Sequence, residues 1–70
     1  MTFAEALRKA MRERGIKQVH IVRATGLSDA YVSMLTNGKV DDPKFSTAEA
    51  VIHALGMSLD EFAKLMRESD

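Results

Sequence analysis

Cysteine is absent from these 70 residues, which excludes a disulfide framework and any thiolate metal site. Histidine is nearly absent: His20 and His53 stand alone, without a metal-ligand spacing such as H-x-x-x-H. No glycine-rich phosphate loop, nucleophile elbow or paired-carboxylate pocket is apparent either. The expectation is therefore no catalytic residue, no cofactor and no metal, with both histidines read as solvated surface side chains. No apolar run approaches the ~20 residues of a membrane span, and no signal-peptide pattern opens the chain. That leads us to expect a cytoplasmic protein without membrane contact. Proline occurs once: Pro43 pushes Asp42 out of helical geometry and marks the one real loop, residues 40–44.

No excess of either charge exists over the whole chain, whose formal net charge is +0. The charges are unevenly spread, however. Arg8, Lys9, Arg12, Arg14, Lys17 and Arg23 face only Glu5 and Glu13 in residues 1–27, and the remaining residues are acidic to the same degree. A basic half is compatible with a phosphate-facing surface, and equally with ordinary solvated helix faces. At this length, residues 1–70 make one domain near the lower limit for an unstapled core. Helix packing by the 46% hydrophobic residues must supply all of that core.

What the chain does contain is helical periodicity. Thr2 with Glu5 forms a capping-box pattern, and Phe3, Leu7, Ala10 and Met11 share a stripe, so the first helix spans about residues 3–14 with Gly15 as its stop. Gln18–Thr25 buries Ile21 and Val22; Asp29–Thr36 buries Val32 and Leu35. Between them, Gly26 suits a tight reversal and Ser28 a helix N-cap. Two short helices joined by a brief turn containing glycine make a helix-turn-helix. The second helix has no Ser, Thr, Asp or Asn to cap its start, so something other than local capping is expected to hold Gln18. Asn37-Gly38 closes the third helix. Ser46 with Glu49 predicts a capping box for a fourth helix whose buried side includes Phe45, Ala48, Val51, Ile52 and Leu55, with Gly56 as its stop. Ser58 with Glu61 predicts another for a fifth, where Leu59, Phe62, Ala63 and Met66 share a face. No strand pattern competes, so the fold class is all-α, a compact five-helix bundle with a central helix-turn-helix.

These residues resemble the Cro/repressor-type (XRE-like) helix-turn-helix proteins of phages and bacteria. The resemblance covers about residues 3–65. Its anchors are Gln18, Ile21, Val22, Gly26, Val32, Leu35, Asn37, Gly38, Lys39, Pro43 and the segment Ala54-Leu55-Gly56-Met57-Ser58-Leu59-Asp60. It implies a lambda repressor-like fold and a sequence-specific DNA-binding transcriptional regulator that reads the major groove of double-stranded DNA with helix 29–36. Two copies would read half-sites about one helical turn apart. Carried over by position, Ser28, Asp29, Ala30, Ser33 and Met34 would face base edges. Gln18, with the helix N-terminus behind it, Asn37 and Lys39 would meet phosphates. Lys17, Lys44 and the Tyr31 hydroxyl are further phosphate candidates, and Arg12, Arg14 and Arg23 could add to them.

The chain departs from that pattern in four places. Its third helix offers no Arg, Lys, Gln or Asn before Asn37, although these are the strongest base readers. What remains is Asp29 as an acceptor for a cytosine amine, the ambivalent Ser33, and Ala30 and Met34 for a thymine methyl. Met11 and Thr36 stand where the family often pairs an Arg with a Glu, an exchange that costs little because apolar packing can replace a buried ion pair. The loop after the third helix is one residue longer than usual and carries Asp41-Asp42. Val22 replaces a commoner Ala and would hold the second and third helices slightly apart. These departures sustain an alternative: a helix-turn-helix module with weak or no DNA binding that regulates through a protein partner on Asp29, Tyr31 and Met34. A homodimer is expected at least on DNA, through an apolar patch at Leu65 and Met66.

Overall fold

Helix ends in this chain are fixed by side chains that reach back to the backbone. The Thr2 hydroxyl accepts the Glu5 N–H at 3.1 Å while the Glu5 carboxylate accepts the Thr2 N–H at 2.8 Å. Ser58 and Glu61 repeat the reciprocal arrangement at 3.1 and 2.8 Å. These bonds favour the charged carboxylates, and both Glu5 and Glu61 are held below the usual glutamate range by them. In the computed structural model, residues 1–40 and 42–68 are described; Asp41, half of the expected acidic loop pair, lies outside them, as do Ser69 and Asp70. The helices are α1 (Phe3–Arg14), α2 (Gln18–Thr25), α3 (Asp29–Thr36), α4 (Phe45–Ala54) and α5 (Leu59–Arg67). Among the described residues there is no strand.

The core is assembled from one stripe of each helix. Leu7, Ile21, Val32, Leu35, Val51, Leu55 and Phe62 are each less than 2% exposed. Burial of each such side chain contributes about 1.5–3 kcal/mol, which is why helices this short persist together although none would alone. Ala6 and Ala10 let α1 approach its neighbours closely, and Phe3 closes one end with its ring centroid 5.3 Å from that of Phe62. Ile16, Val22 and Leu27 pack half-buried around the turn-bearing pair α2–α3.

Three expectations are corrected. The Ser46–Glu49 box does not form: after Pro43 the chain is extended only as far as Lys44, and the helix begins at Phe45 with the Ala48 N–H already on the Lys44 carbonyl at 2.9 Å. Ser46 is thus inside the first turn, where its hydroxyl cannot act as a cap. Phe45 is not part of the buried side; as the first helical residue it projects past the packed layer and is 70% exposed. Leu65 is a core residue, 8% exposed, because the apolar stripe of α5 is centred between Phe62 and Leu65. Met66 lies at the rim of that stripe, half-buried, so of the two residues expected to form a dimer seam only Met66 reaches the surface.

Candidate nucleic-acid interface

The turn between α2 and α3 is built by Thr25 and Gly26. Thr25 Oγ1 donates to the Ile21 carbonyl at 2.7 Å and accepts the Leu27 N–H at 3.2 Å, which ties the departing chain to the helix it leaves. Gly26 takes φ +76°, a left-handed conformation that a side chain would oppose. Ser28 then caps α3, its Oγ accepting the Tyr31 N–H at 3.1 Å. The far end of α3 is closed by a two-bond reversal: Lys39 N–H reaches the Met34 carbonyl at 2.9 Å and Gly38 N–H the Leu35 carbonyl at 3.4 Å, with Gly38 at φ +73°.

With Val32 and Leu35 turned fully inward, the opposite stripe of α3 faces out. Ser28, Asp29, Ala30 and Met34 are exposed, Met34 at 44%, and Ser33 and Tyr31 are half-buried. The five residues expected to face base edges therefore share one accessible stripe, while the Tyr31 ring packs against the core. Lys17, Lys39 and Lys44 are exposed at three helix ends: before α2, after α3 and before α4. Asn37 turns its amide back to Ser33 Oγ at 3.2 Å.

Gln18 answers the question posed by its missing cap. Its side-chain Nε2 donates to both the Asp29 carbonyl, at 3.2 Å, and Asp29 Oδ1, at 3.1 Å. The start of α2 is thereby fastened to the start of α3. Since both partners are acceptors, the amide must present its NH2 to them, leaving its Oε1 for anything outside. The backbone N–H groups of the first α2 turn are free of that tie.

Two contributors escaped the sequence reading. Arg8 Nη1 donates to the Thr36 carbonyl at 2.5 Å, so a guanidinium from α1 caps the C-terminus of α3. Thr36 Oγ1 meanwhile bonds the Ser33 carbonyl at 2.9 Å, and Met11 packs against the core. Where the family often pairs an Arg with a Glu, this chain substitutes apolar contact and a cation-to-carbonyl bond from one turn earlier. The signal was present as Arg8 standing three residues before Met11 on the same helix face. His20, expected to be a bystander, is exposed but accepts the Lys17 N–H on Nδ1 at 2.9 Å and so serves as the start of α2. Arg14, by contrast, is committed elsewhere: Nη1 reaches the Leu55 and Gly56 carbonyls at 3.3 Å each, at the end of α4. Lys9 pairs with Glu68 at 3.3 Å. Arg12 on α1 and Arg23 on α2 are exposed.

Beside the start of α2, Arg8, Arg12, Lys17 and Gln18 rim a groove of about 430 Å³ floored by Met11 and Ile16. Among the described residues, no group of three His, Cys, Asp or Glu is placed to hold a metal ion. No described helix is long and apolar enough to cross a membrane.

A comparison with curated proteins and one with solved structures each return no match. A comparison with protein families matches residues 6–68 to the Cro/C1-type HTH DNA-binding domain, nearly the whole length of the chain. With its turn, its capped third helix and its outward stripe in place, the chain belongs to the Cro/C1-type helix-turn-helix DNA-binding domain family.

Proposed function

We propose that this protein is a sequence-specific transcriptional regulator of the phage or bacterial repressor type that inserts α3 into the major groove and binds as a homodimer. The observation that carries this reading is the outward stripe of α3 flanked by Lys17, Lys39 and Lys44 at three helix ends. That layout offers base contacts in the middle and phosphate contacts at the edges, which is how such domains divide position from specificity. Ser28, Asp29, Ala30, Ser33 and Met34 meet base edges. The three lysines, Asn37 and the Tyr31 hydroxyl meet phosphates, and Gln18 joins them through its backbone N–H, its side-chain protons being taken by Asp29. Three cationic contacts give log K a slope of about −2.7 against log salt. With so little donor chemistry on α3, DNA shape contributes to specificity alongside base contact.

The second copy docks on the edge formed by Phe45, Pro43 and Met66, with Phe3 and Ala48 beneath. What supports this edge is the side chain of Phe45, 70% exposed and adjacent in sequence to the proposed phosphate contact Lys44. Selection from a pool of random duplexes, repeated at several salt concentrations, tests the reading. A two-fold symmetric motif with half-sites about 10 bp apart and a steep salt slope is expected. Unselective binding that vanishes near physiological salt would overturn it and turn attention to a protein partner on α3.

A further inference from the structure

Asn37 is the only asparagine in the chain, and Gly38 follows it. Both are exposed just past the end of α3, where water reaches them. Asparagine is a chemically labile side chain, and a glycine after it leaves the next backbone nitrogen unshielded. The Gly38 N–H is also loosely held: it reaches the Leu35 carbonyl at 3.4 Å, longer than any other backbone bond at a described helix end. Against this, the Asn37 amide is tied to Ser33 Oγ at 3.2 Å.

We propose that Asn37–Gly38 is a self-modification site that withdraws α3 from DNA with age; the effect on binding rests on the DNA reading above, and the chemistry does not. The deprotonated Gly38 nitrogen attacks Asn37 Cγ, the new N–C bond closes a cyclic imide, and the side-chain nitrogen leaves as ammonia. Water then opens the ring at either carbonyl, giving aspartate or its β-linked isomer. Aspartate puts a negative charge at the C-terminal end of α3, where the helix dipole is already negative and where Asn37 and Lys39 are to meet phosphates. The β-linked isomer adds a carbon to the main chain where the Gly38 and Lys39 N–H groups must reach the Leu35 and Met34 carbonyls. The fold sets the rate. Ring closure needs Cβ and the Gly38 nitrogen on one side of the Cα–C bond, whereas ψ of 5° eclipses that nitrogen with the Asn37 backbone nitrogen instead. The reaction therefore waits for the end of α3 to open, which the Arg8 bond to the Thr36 carbonyl opposes.

Intact-mass measurement and peptide mapping of the full chain, held in mildly alkaline buffer, test the proposal. The wild-type protein should progressively exchange NH2 for OH at Asn37. Asn37→Gln, whose ring would be six-membered, should not change over the same period. Arg8→Met should convert several-fold faster, with Arg8→Lys between; the lysine variant carries this arm should the methionine one fail to fold by circular dichroism. Converted protein should bind a selected duplex several-fold more weakly than fresh protein. An unchanged mass at Asn37, a conversion rate that Arg8 substitution leaves alone, or converted protein with the affinity of fresh protein would each overturn the proposal while the DNA reading stands. If fresh protein binds no duplex at low salt, the DNA reading falls, and the mass measurements still decide the chemistry.

Discussion

Replacing Arg8 by Met tests whether α3 is held from α1. Methionine keeps most of the apolar stem, so the change removes the guanidinium bond to the Thr36 carbonyl and little else. A hydrogen bond from a charged donor is worth about 1.5–3 kcal/mol, and a cation at a helix C-terminus adds about 0.3–1 kcal/mol. Arg8 is exposed overall while the bond itself is partly buried, so the combined effect is placed at about 1–2 kcal/mol. A chain of this size carries on the order of 4–10 kcal/mol of total stability, so the variant loses a substantial fraction. In urea denaturation followed by circular dichroism, the midpoint should fall with little change in slope. The melting temperature should drop by roughly 5–15 °C. Amide exchange should accelerate first at Gly38 and Lys39, whose N–H groups close the end of α3. Arg8→Lys should lie between the two proteins. A methionine variant with wild-type midpoint and wild-type exchange at Gly38 would refute the idea that α1 caps α3.

Acid should weaken the fold through Glu5 and Glu61. Their charged forms are favoured in the folded chain, so their stabilisation is complete above the usual glutamate range and is lost as pH falls through their lowered values. A Glu5→Gln, Glu61→Gln double variant should therefore show a shallower acid limb in a stability–pH profile; an unchanged limb would exclude the two carboxylates as its source. Val32→Ala, at a fully buried site of α3, should cost about 1–3 kcal/mol in urea denaturation, and a loss near zero would contradict the packing described. Phe45→Ser should leave stability within about 0.5 kcal/mol, because the ring is mostly exposed, yet reduce cooperative binding to a two-half-site duplex. Unchanged cooperativity, measured by gel shift on one and two half-sites, would remove Phe45 from the dimer edge.

The helices were legible because their ends are written locally. Thr2, Gly15, Gly26, Ser28 and Ser58 each act within a few residues, and all stand where capping chemistry placed them. The start of α4 was not legible from Ser46 and Glu49, since Pro43 set the backbone first and left the pattern inside a helix already begun. Leu65 was misplaced because Phe62 can be followed three or four residues on along one stripe, and periodicity alone does not choose between Leu65 and Met66. At the candidate interface, the exposed stripe of α3 followed from the inward spacing of Val32 and Leu35. The ties Gln18–Asp29 and Arg8–Thr36 join residues 11 and 28 positions apart, and no local pattern announces a contact of that range.

The most direct test of α3 as the DNA-reading element is a residue-resolved NMR titration of the labelled protein with a selected duplex at low salt. Insertion into the major groove predicts the largest shifts at Ser28, Asp29, Ala30, Ser33 and Met34, with a flanking set at Lys17, Gln18, Lys39 and Lys44. Shifts confined to α5 or to the start of α1, with α3 silent, would contradict it.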